Sequence, residues 1–181
     1  QKRHDMSHEY FWDNFYTKKR RDNIEAFEWL IDHSEFAAVD SLELISTRTS
    51  LLLDVGCGTS TFASQLQSSN KHHQRASLLV SADFSHQALS ILKKKLNNHD
   101  FVDFVQCDGR NLPFRSDIFD LVIDKGYLDS VLKSSSKSLE NAFDSMKSQV
   151  INVLGYCSVI CDDRGPTYVV VLWIHQCISP S

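Results

Sequence analysis

The sequence contains no run of 18 apolar residues, which excludes a helix that spans a membrane. Its N-terminus lacks the apolar core of a secretory signal. Met6 reads as the native start, with Gln1 to Asp5 as upstream sequence. Basic charge is not in excess: 19 Lys and Arg stand against 23 Asp and Glu, a net charge of −4. A global basic footprint for nucleic acid is therefore missing. The five cysteines, Cys57, Cys107, Cys157, Cys161 and Cys177, are odd in number and form no C-x-x-C pair. No zinc or other metal site is expected, and free thiols in a reducing compartment are the better reading. The adjacent His72 and His73 sit in a polar connection without a carboxylate partner and read as solvent-exposed.

What is present suits one globular domain of moderate size. Of 181 residues, 42% are hydrophobic and 23% charged, enough for a packed core without disulfides. The chain is organised around Leu51-Leu52-Leu53-Asp54-Val55-Gly56-Cys57-Gly58-Thr59-Ser60. Its apolar run is of the kind buried in parallel sheets. Gly56 and Gly58 allow a sharp turn and close approach of a ligand, because neither carries a Cβ. Thr59 and Ser60 are placed to cap the helix that follows. Such a turn binds a nucleotide cofactor. The dinucleotide fingerprint needs a third glycine where this chain has Thr61, and no G-K-[ST] follows, so neither that fingerprint nor a P-loop is met.

Along the chain, aromatic residues recur at helical spacing in His8-Glu9-Tyr10-Phe11-Trp12-Asp13-Asn14-Phe15-Tyr16, followed by the basic patch Lys18 to Arg21. Helix is expected to continue through Ala26–Ile31, with another over 35–47. Strands are expected at 51–55, 77–82, 101–106, 118–123 and 156–161, with a further one at 167–174. Helices are expected over 59–67, after Ser85, and over 139–153. Lys93, Lys94 and Lys95 read as a solvated helix face, and Pro113 breaks the chain. Strands alternating with helices predict a parallel, doubly wound sheet whose ligand sits at the carboxyl ends of the strands.

The first four strands each end at or near an acid: Asp54, Asp83, Asp108 and Asp124. A carboxylate can accept both hydroxyls of a ribose, and Asp83 follows Gly58 at about the spacing the related fingerprint uses. Asp108 can accept from an adenine amino group, with Phe84 and Leu112 flanking the base. Asp124 is expected to face the other end of such a ligand. Taken singly, each acid can equally be a helix N-cap or a turn residue.

The D-x-G-x-G stretch at 54–58, Ala82-Asp83-Phe84-Ser85, Asp108-Gly109-Arg110-Asn111-Leu112 and Phe119 to Val131 together resemble class I S-adenosylmethionine (SAM) methyltransferases. Within that family the chain is similar to the lysine methyltransferases of elongation factor 1A and citrate synthase. The specific part is Asp124-Lys125-Gly126-Tyr127-Leu128-Asp129, and the aromatic opening at residues 10–16 matches that subgroup's first helix. The resemblance implies an α/β, Rossmann-like class I fold with a doubly wound, mostly parallel sheet. It implies an N-terminal helical cap over 1–47 and a SAM-binding domain over 48–181. SAM would be held by Asp54, Gly56, Cys57, Gly58, Asp83, Phe84, Asp108, Gly109, Asp124 and Lys125, with Trp12 and Tyr16 closing over it. Asp124, Asp129 and Tyr127 would serve methyl transfer, Tyr127 holding cationic groups against its ring, to a protein amine, most often a lysine. Lys125 is expected to pair with a neighbouring acid. The partner would be a protein, a translation factor or a metabolic enzyme, met by a monomer in the cytosol or, alternatively, in mitochondria. A small-molecule methyltransferase shares every cofactor motif, and a non-catalytic binding protein on the same fold is the third reading.

The C-terminus departs from that family. Past Asp162-Asp163 the chain offers one apolar run, Tyr168 to Ile174, where the family adds a loop and a two-strand hairpin. The expectation is a truncated or alternatively spliced chain, with incomplete C-terminal strands and an exposed hydrophobic edge.

Overall fold

The computed structural model describes Met6 and residues 8–21, 51–69, 78–96, 101–116, 118–132, 136–148, 153–162 and 165–175. Helix α1 covers Glu9–Arg21, followed by strand β1 (Leu51–Val55), α2 (Phe62–Ser69), β2 (Leu78–Asp83), α3 (His86–Lys95) and β3 (Val102–Gln106). Then come β4 (Leu121–Lys125), α4 (Tyr127–Leu132), α5 (Ser136–Lys147), β5 (Val153–Asp162) and β6 (Gly165–His175). The six strands form one sheet in the order β3-β2-β1-β4-β6-β5. Strands β3, β2, β1 and β4 are mutually parallel, whereas β6 runs antiparallel to both β4 and β5. The chain winds outward from β1 through β2 to β3, then returns to β4 on the other side. The carboxyl ends of β1 and β4 thus flank the switch point at which such sheets bind ligands.

Leucine and valine fill the central strands because both faces of the sheet are covered. Leu52, Leu53, Val122 and Ile123 are fully buried. One face packs Leu53, Val55, Val80 and Val122 against Leu128, Val131, Ala142 and Met146, which come from α4 and α5. On another part of the fold α1 lays Trp12 and Tyr16 against Ala88 of α3, with Phe84 and Ile91 alongside.

Several boundaries differ from the sequence expectation. β4 begins at Leu121 rather than at residue 118, because Asp120 opens the ladder: its carboxylate accepts the Leu51 N–H at 2.9 Å while its own N–H donates to the Leu51 carbonyl at 2.9 Å. Asp124 therefore lies inside the strand rather than after it. α2 starts at Phe62, whose N–H donates to the Ser60 hydroxyl at 3.1 Å, so residues 59–61 belong to the turn. The short helix α4 was not anticipated, and α5 starts and ends earlier than expected. Lys95 is not solvated with its two neighbours: the last turn of α3 runs beside the glycine turn, and the Lys95 ammonium donates to the Thr59 carbonyl at 2.8 Å. The C-terminal run is a long hairpin. β6 adjoins β4 from Leu121↔Ile174 to Lys125↔Val170, and β5 takes the edge. The helices expected over 26–31 and 35–47, and His72 and His73, lie outside the described residues. Among those described, no helix is long and apolar enough to cross a membrane.

Truncating Leu53 to Ala removes a fully buried side chain and is expected to cost about 2–5 kcal/mol. Phe101→Ala, at a side chain 51% exposed, is expected to stay within roughly 0.5 kcal/mol. Urea unfolding of the two variants checks this, and similar losses would contradict the assignment of the core.

Candidate active site

The turn after β1 is built by left-handed backbone. Gly56 has φ 64° and Gly58 φ 56°, a region that residues with a Cβ rarely adopt. The turn is fastened to β2: the Cys57 N–H donates to the Ala82 carbonyl at 3.1 Å, and the Gly58 N–H donates to Asp83 Oδ2 at 2.8 Å. The other Asp83 oxygen, Oδ1, accepts the Ser85 N–H at 2.8 Å. Ser85 in turn caps α3, its hydroxyl accepting the Ala88 N–H. One carboxylate thus joins the glycine turn to the start of α3.

Strand register sets the acids along one edge. Val55 pairs with Ala82 on one side and with Asp124 on the other, and Asp83 pairs with Gln106. Asp54 and Asp124 each lie one residue inside the ends of β1 and β4, Asp83 closes β2, and Asp108 follows β3 by two residues. All four acids that the sequence placed at strand ends therefore line the same carboxyl edge. Their burial is unequal: Asp54, Asp83 and Asp124 are buried, while Asp108 is partly exposed.

The bare faces of the glycines meet two tyrosines. A Cβ on Gly58 would stand 2.5 Å from the Tyr16 hydroxyl. A Cβ on Gly56 would stand 2.5 Å from Tyr127 Cβ, and one on Gly109 would stand 2.6 Å from Tyr127 Cζ. The Tyr127 ring thus reaches from the turn after β1 to the loop after β3. The missing Cβ atoms, expected to serve the turn and the approach of a ligand, also make room for these rings. The Tyr127 hydroxyl is buried and has no hydrogen-bond partner among the described residues. Burial, with the charge of Asp108 next, raises its pKa, so it is a neutral donor at any physiological pH.

The remaining candidates fall into place around this core. Asp124 Oδ1 accepts the Tyr127 N–H at 2.7 Å and Oδ2 accepts the Leu128 N–H at 3.1 Å, so this buried acid caps α4 and holds the backbone of Tyr127. Gly126, at φ 96°, makes the bend between them. Lys125 places its ammonium 5.5 Å from the ring centroid of Phe62. Asp129 belongs to α4. The Cys57 side chain packs with Leu89, Leu92 and Leu96, leaving its backbone for the turn. Trp12 stacks on Tyr16 with ring centroids 6.1 Å apart and donates its indole N–H to the Met6 carbonyl at 2.8 Å. Phe84 packs with that aromatic group, whereas Leu112 belongs to the core under α4 and α5. Asp13, within the aromatic opening at residues 10–16 but not among the expected site residues, accepts the Ser85 hydroxyl and the Gln87 N–H. Nothing in its local sequence signals that contact.

Electrostatics separate the acids. Burial pushes Asp83 up to about 6 from 3.8; the N–H groups of Ser85 and Gly58 oppose the rise and the charge of Asp13 adds to it. At Asp108 burial works in the same direction, but the Arg110 guanidinium outweighs it, and the net pKa is lowered. Arg110 grips Asp108 with Nε at 2.9 Å and 3.0 Å and Nη2 at 2.6 Å. Burial, with Asp83 and then Asp54, raises the Cys57 thiol, and burial, with Asp83 and then Asp108, raises Cys107 to about 11, so neither is a nucleophile here. A glycine turn, carboxylates at successive strand ends and a buried unpaired phenol facing Gly109 fit a nucleoside-bearing cofactor with several hydroxyl and amino donors. No group of three or more His, Cys, Asp or Glu fit to hold a metal occurs among the described residues.

Comparison with known proteins agrees with this geometry. Residues 47–170 match the family model of a methyltransferase domain. A demethylmenaquinone methyltransferase of Clavibacter sepedonicus is 38% identical over 71 residues, 39% of this chain and 26% of that protein. The eEF1A lysine and N-terminal methyltransferase of Bos taurus is 27% identical over 145 residues, 80% of this chain and 19% of that protein. The chain thus spans about a quarter or less of the length of these curated relatives. The solved structure of magnesium protoporphyrin IX methyltransferase from Synechocystis PCC 6803, with bound SAM, shares the fold. Its TM-score is 0.56 at 14% identity, covering 90% of this chain and 85% of that one.

Two outcomes follow from the site. Folded Asp83 keeps its proton up to about pH 6, whereas the unfolded chain gives it up near 3.8, so the stability of the free chain falls as pH rises between these values. The ribose contact expected of Asp83 needs its ionised form, so S-adenosylhomocysteine is expected to bind best above pH 7 and to weaken by up to about tenfold per unit below 6. Calorimetric titration across that range checks this, and Asp83→Ala should abolish binding. Tyr127→Phe removes a buried, unpaired hydroxyl and is expected to stabilise the free chain by about 1 kcal/mol, since such groups cost about 1–3. Thermal unfolding with and without S-adenosylhomocysteine reads both the gain and a smaller shift on binding.

Proposed function

The chain belongs to the methyltransferase domain family, and from that premise we propose that it methylates a protein amine, a lysine side chain foremost. SAM is its cofactor. The observation that carries the reading is the row of four acids at the carboxyl edge around the Gly56–Gly58 turn. Asp83 is assigned the ribose hydroxyls and Asp108, steadied by Arg110, the adenine amino group. Asp54 and the backbone of residues 56–58 are assigned the amino-acid end, where a buried carboxylate suits both an ammonium and a sulfonium. Phe84 and Gly109 are assigned the base, and Trp12 and Tyr16 the cover.

Bound SAM supplies a methyl group already activated on a sulfonium, so positioning provides most of the rate. The chain must present the acceptor amine unprotonated. A free lysine has a pKa of about 10.4, and neutralising it at pH 7.4 costs roughly 4 kcal/mol. Asp124, Tyr127 and Asp129 are assigned to that end, on the strength of the D-K-G-x-x-D signature. Asp124 acts there by fixing the Tyr127 backbone, and the Tyr127 ring can hold a cation against its face. The protein target is supported by likeness to proteins named for eEF1A lysine and N-terminal methylation, and a translation factor would place the reaction in the cytosol. A second reading, a small-molecule acceptor, is favoured by the higher identity over a shorter stretch to a protein named for demethylmenaquinone.

Labelled SAM incubated with a lysate protein fraction and, separately, with its small-molecule extract decides between them. Label in a protein band, located at lysine, is expected; label only in the extract would move the assignment to the second reading. Asp124→Asn replaces one acceptor oxygen by a donor and should cut transfer at least about 100-fold, with less than tenfold loss of S-adenosylhomocysteine affinity. Full activity in that variant would remove Asp124 from the transfer end.

A further inference from the structure

Asp13 is a charged side chain of α1 that the structure joins directly to the start of α3, beside Asp83. Its Oδ1 accepts the Ser85 hydroxyl in a short hydrogen bond and the Gln87 N–H at 3.3 Å, both at the N-terminus of α3. Ser85 is shared: its hydroxyl serves Asp13 while its backbone N–H serves Asp83. Two carboxylates from distant parts of the chain thus meet at one helix start, where N–H groups favour negative charge. One turn further along α1, Tyr16 sets its hydroxyl over Gly58, the same residue whose N–H binds Asp83.

We propose that Asp13 is a positioning residue for cofactor binding: it clamps α1 to α3, sets Tyr16 over the glycine turn and holds a negative charge beside the ribose-binding Asp83. The proposal rests on the reading of Asp83 as the acceptor of the cofactor's ribose hydroxyls. A purely structural clamp would need only an acceptor atom at this position. The charge has a separate consequence, because it adds to the rise of the Asp83 pKa that burial begins. The other titratable groups coupled to Asp83 are Cys57 from the glycine turn, Cys107 after β3 and Tyr127 from α4. Their pKa values are all raised, so they remain neutral between pH 5 and 8, whereas the charge of Asp13 raises Asp83. Asp13 therefore makes cofactor binding more sensitive to acid than burial alone would.

Two variants of the full chain separate clamp from charge. Asp13→Asn keeps an acceptor oxygen for Ser85 and Gln87 and removes the charge. Its pH midpoint for S-adenosylhomocysteine binding should move down by several tenths of a unit, while affinity at pH 7.5 stays nearer to the unaltered chain than that of Asp13→Ala. Asp13→Ala loses both contacts and should bind roughly tenfold or more weakly at pH 7.5. In the absence of ligand it should also shift tryptophan emission to the red as Trp12 loses its packing, which Asp13→Asn should not do. An unmoved midpoint in Asp13→Asn overturns the charge role, and unchanged emission in Asp13→Ala overturns the clamp. An emission shift in Asp13→Ala alongside an unaltered chain that binds no S-adenosylhomocysteine at any pH would support the clamp and overturn the ribose assignment of Asp83 together with the tuning built on it.

Discussion

The Asp83 carboxylate accepts the Gly58 N–H and the Ser85 N–H, each at 2.8 Å, and most of the site depends on that pair of bonds. One oxygen fixes the turn that leaves β1; the other fixes the entry to α3. Burying a carboxylate is costly unless donors face it, and these two N–H groups offset part of the cost. The remainder persists as a raised pKa, so the group that organises the turn is also held close to its titration. Strain and charge concentrated at one strand end are what a binding site requires and a purely structural turn does not.

The glycines show a second constraint. Left-handed backbone at Gly56 and Gly58 is dictated by the turn, but the space beside them is taken by Tyr127 and Tyr16. Each tyrosine arrives from a different element and is steered by an acid: Asp124 holds the backbone of Tyr127, and Asp13 holds the helix that carries Tyr16. The glycine turn is therefore flanked by two rings, each set in place by hydrogen bonds elsewhere on its own element. The unpaired hydroxyl of Tyr127 is the group on these two rings whose bonding is left to a ligand or solvent.

The C-terminal hairpin supplies the rest of the sheet. β6 covers the flank of β4 along its whole length, from Leu121 to Lys125, so the strand that delivers Asp124 is hydrogen-bonded on both sides. That support keeps Asp124 and Gly126 in register with the glycine turn of β1, since Asp124 pairs directly with Val55.

Much of this was legible in the chain itself. Apolar runs of strand length, the D-x-G-x-G turn and acids after successive strands depend on local chemistry and on a period that repeats along the sequence, so the parallel sheet and its ligand edge followed from them. Ser85 as a helix cap was local too. What only the tertiary structure decided were contacts between residues far apart in sequence. These are Asp13 on Ser85, Asp120 opening the β4 ladder at Leu51, Lys95 on the Thr59 carbonyl, the tyrosines against the glycines, and β6 rather than β5 beside β4. A carboxylate in an aromatic helix looks the same in sequence whether it meets water or a helix start, because its partner is chosen by packing and not by its neighbours in the chain.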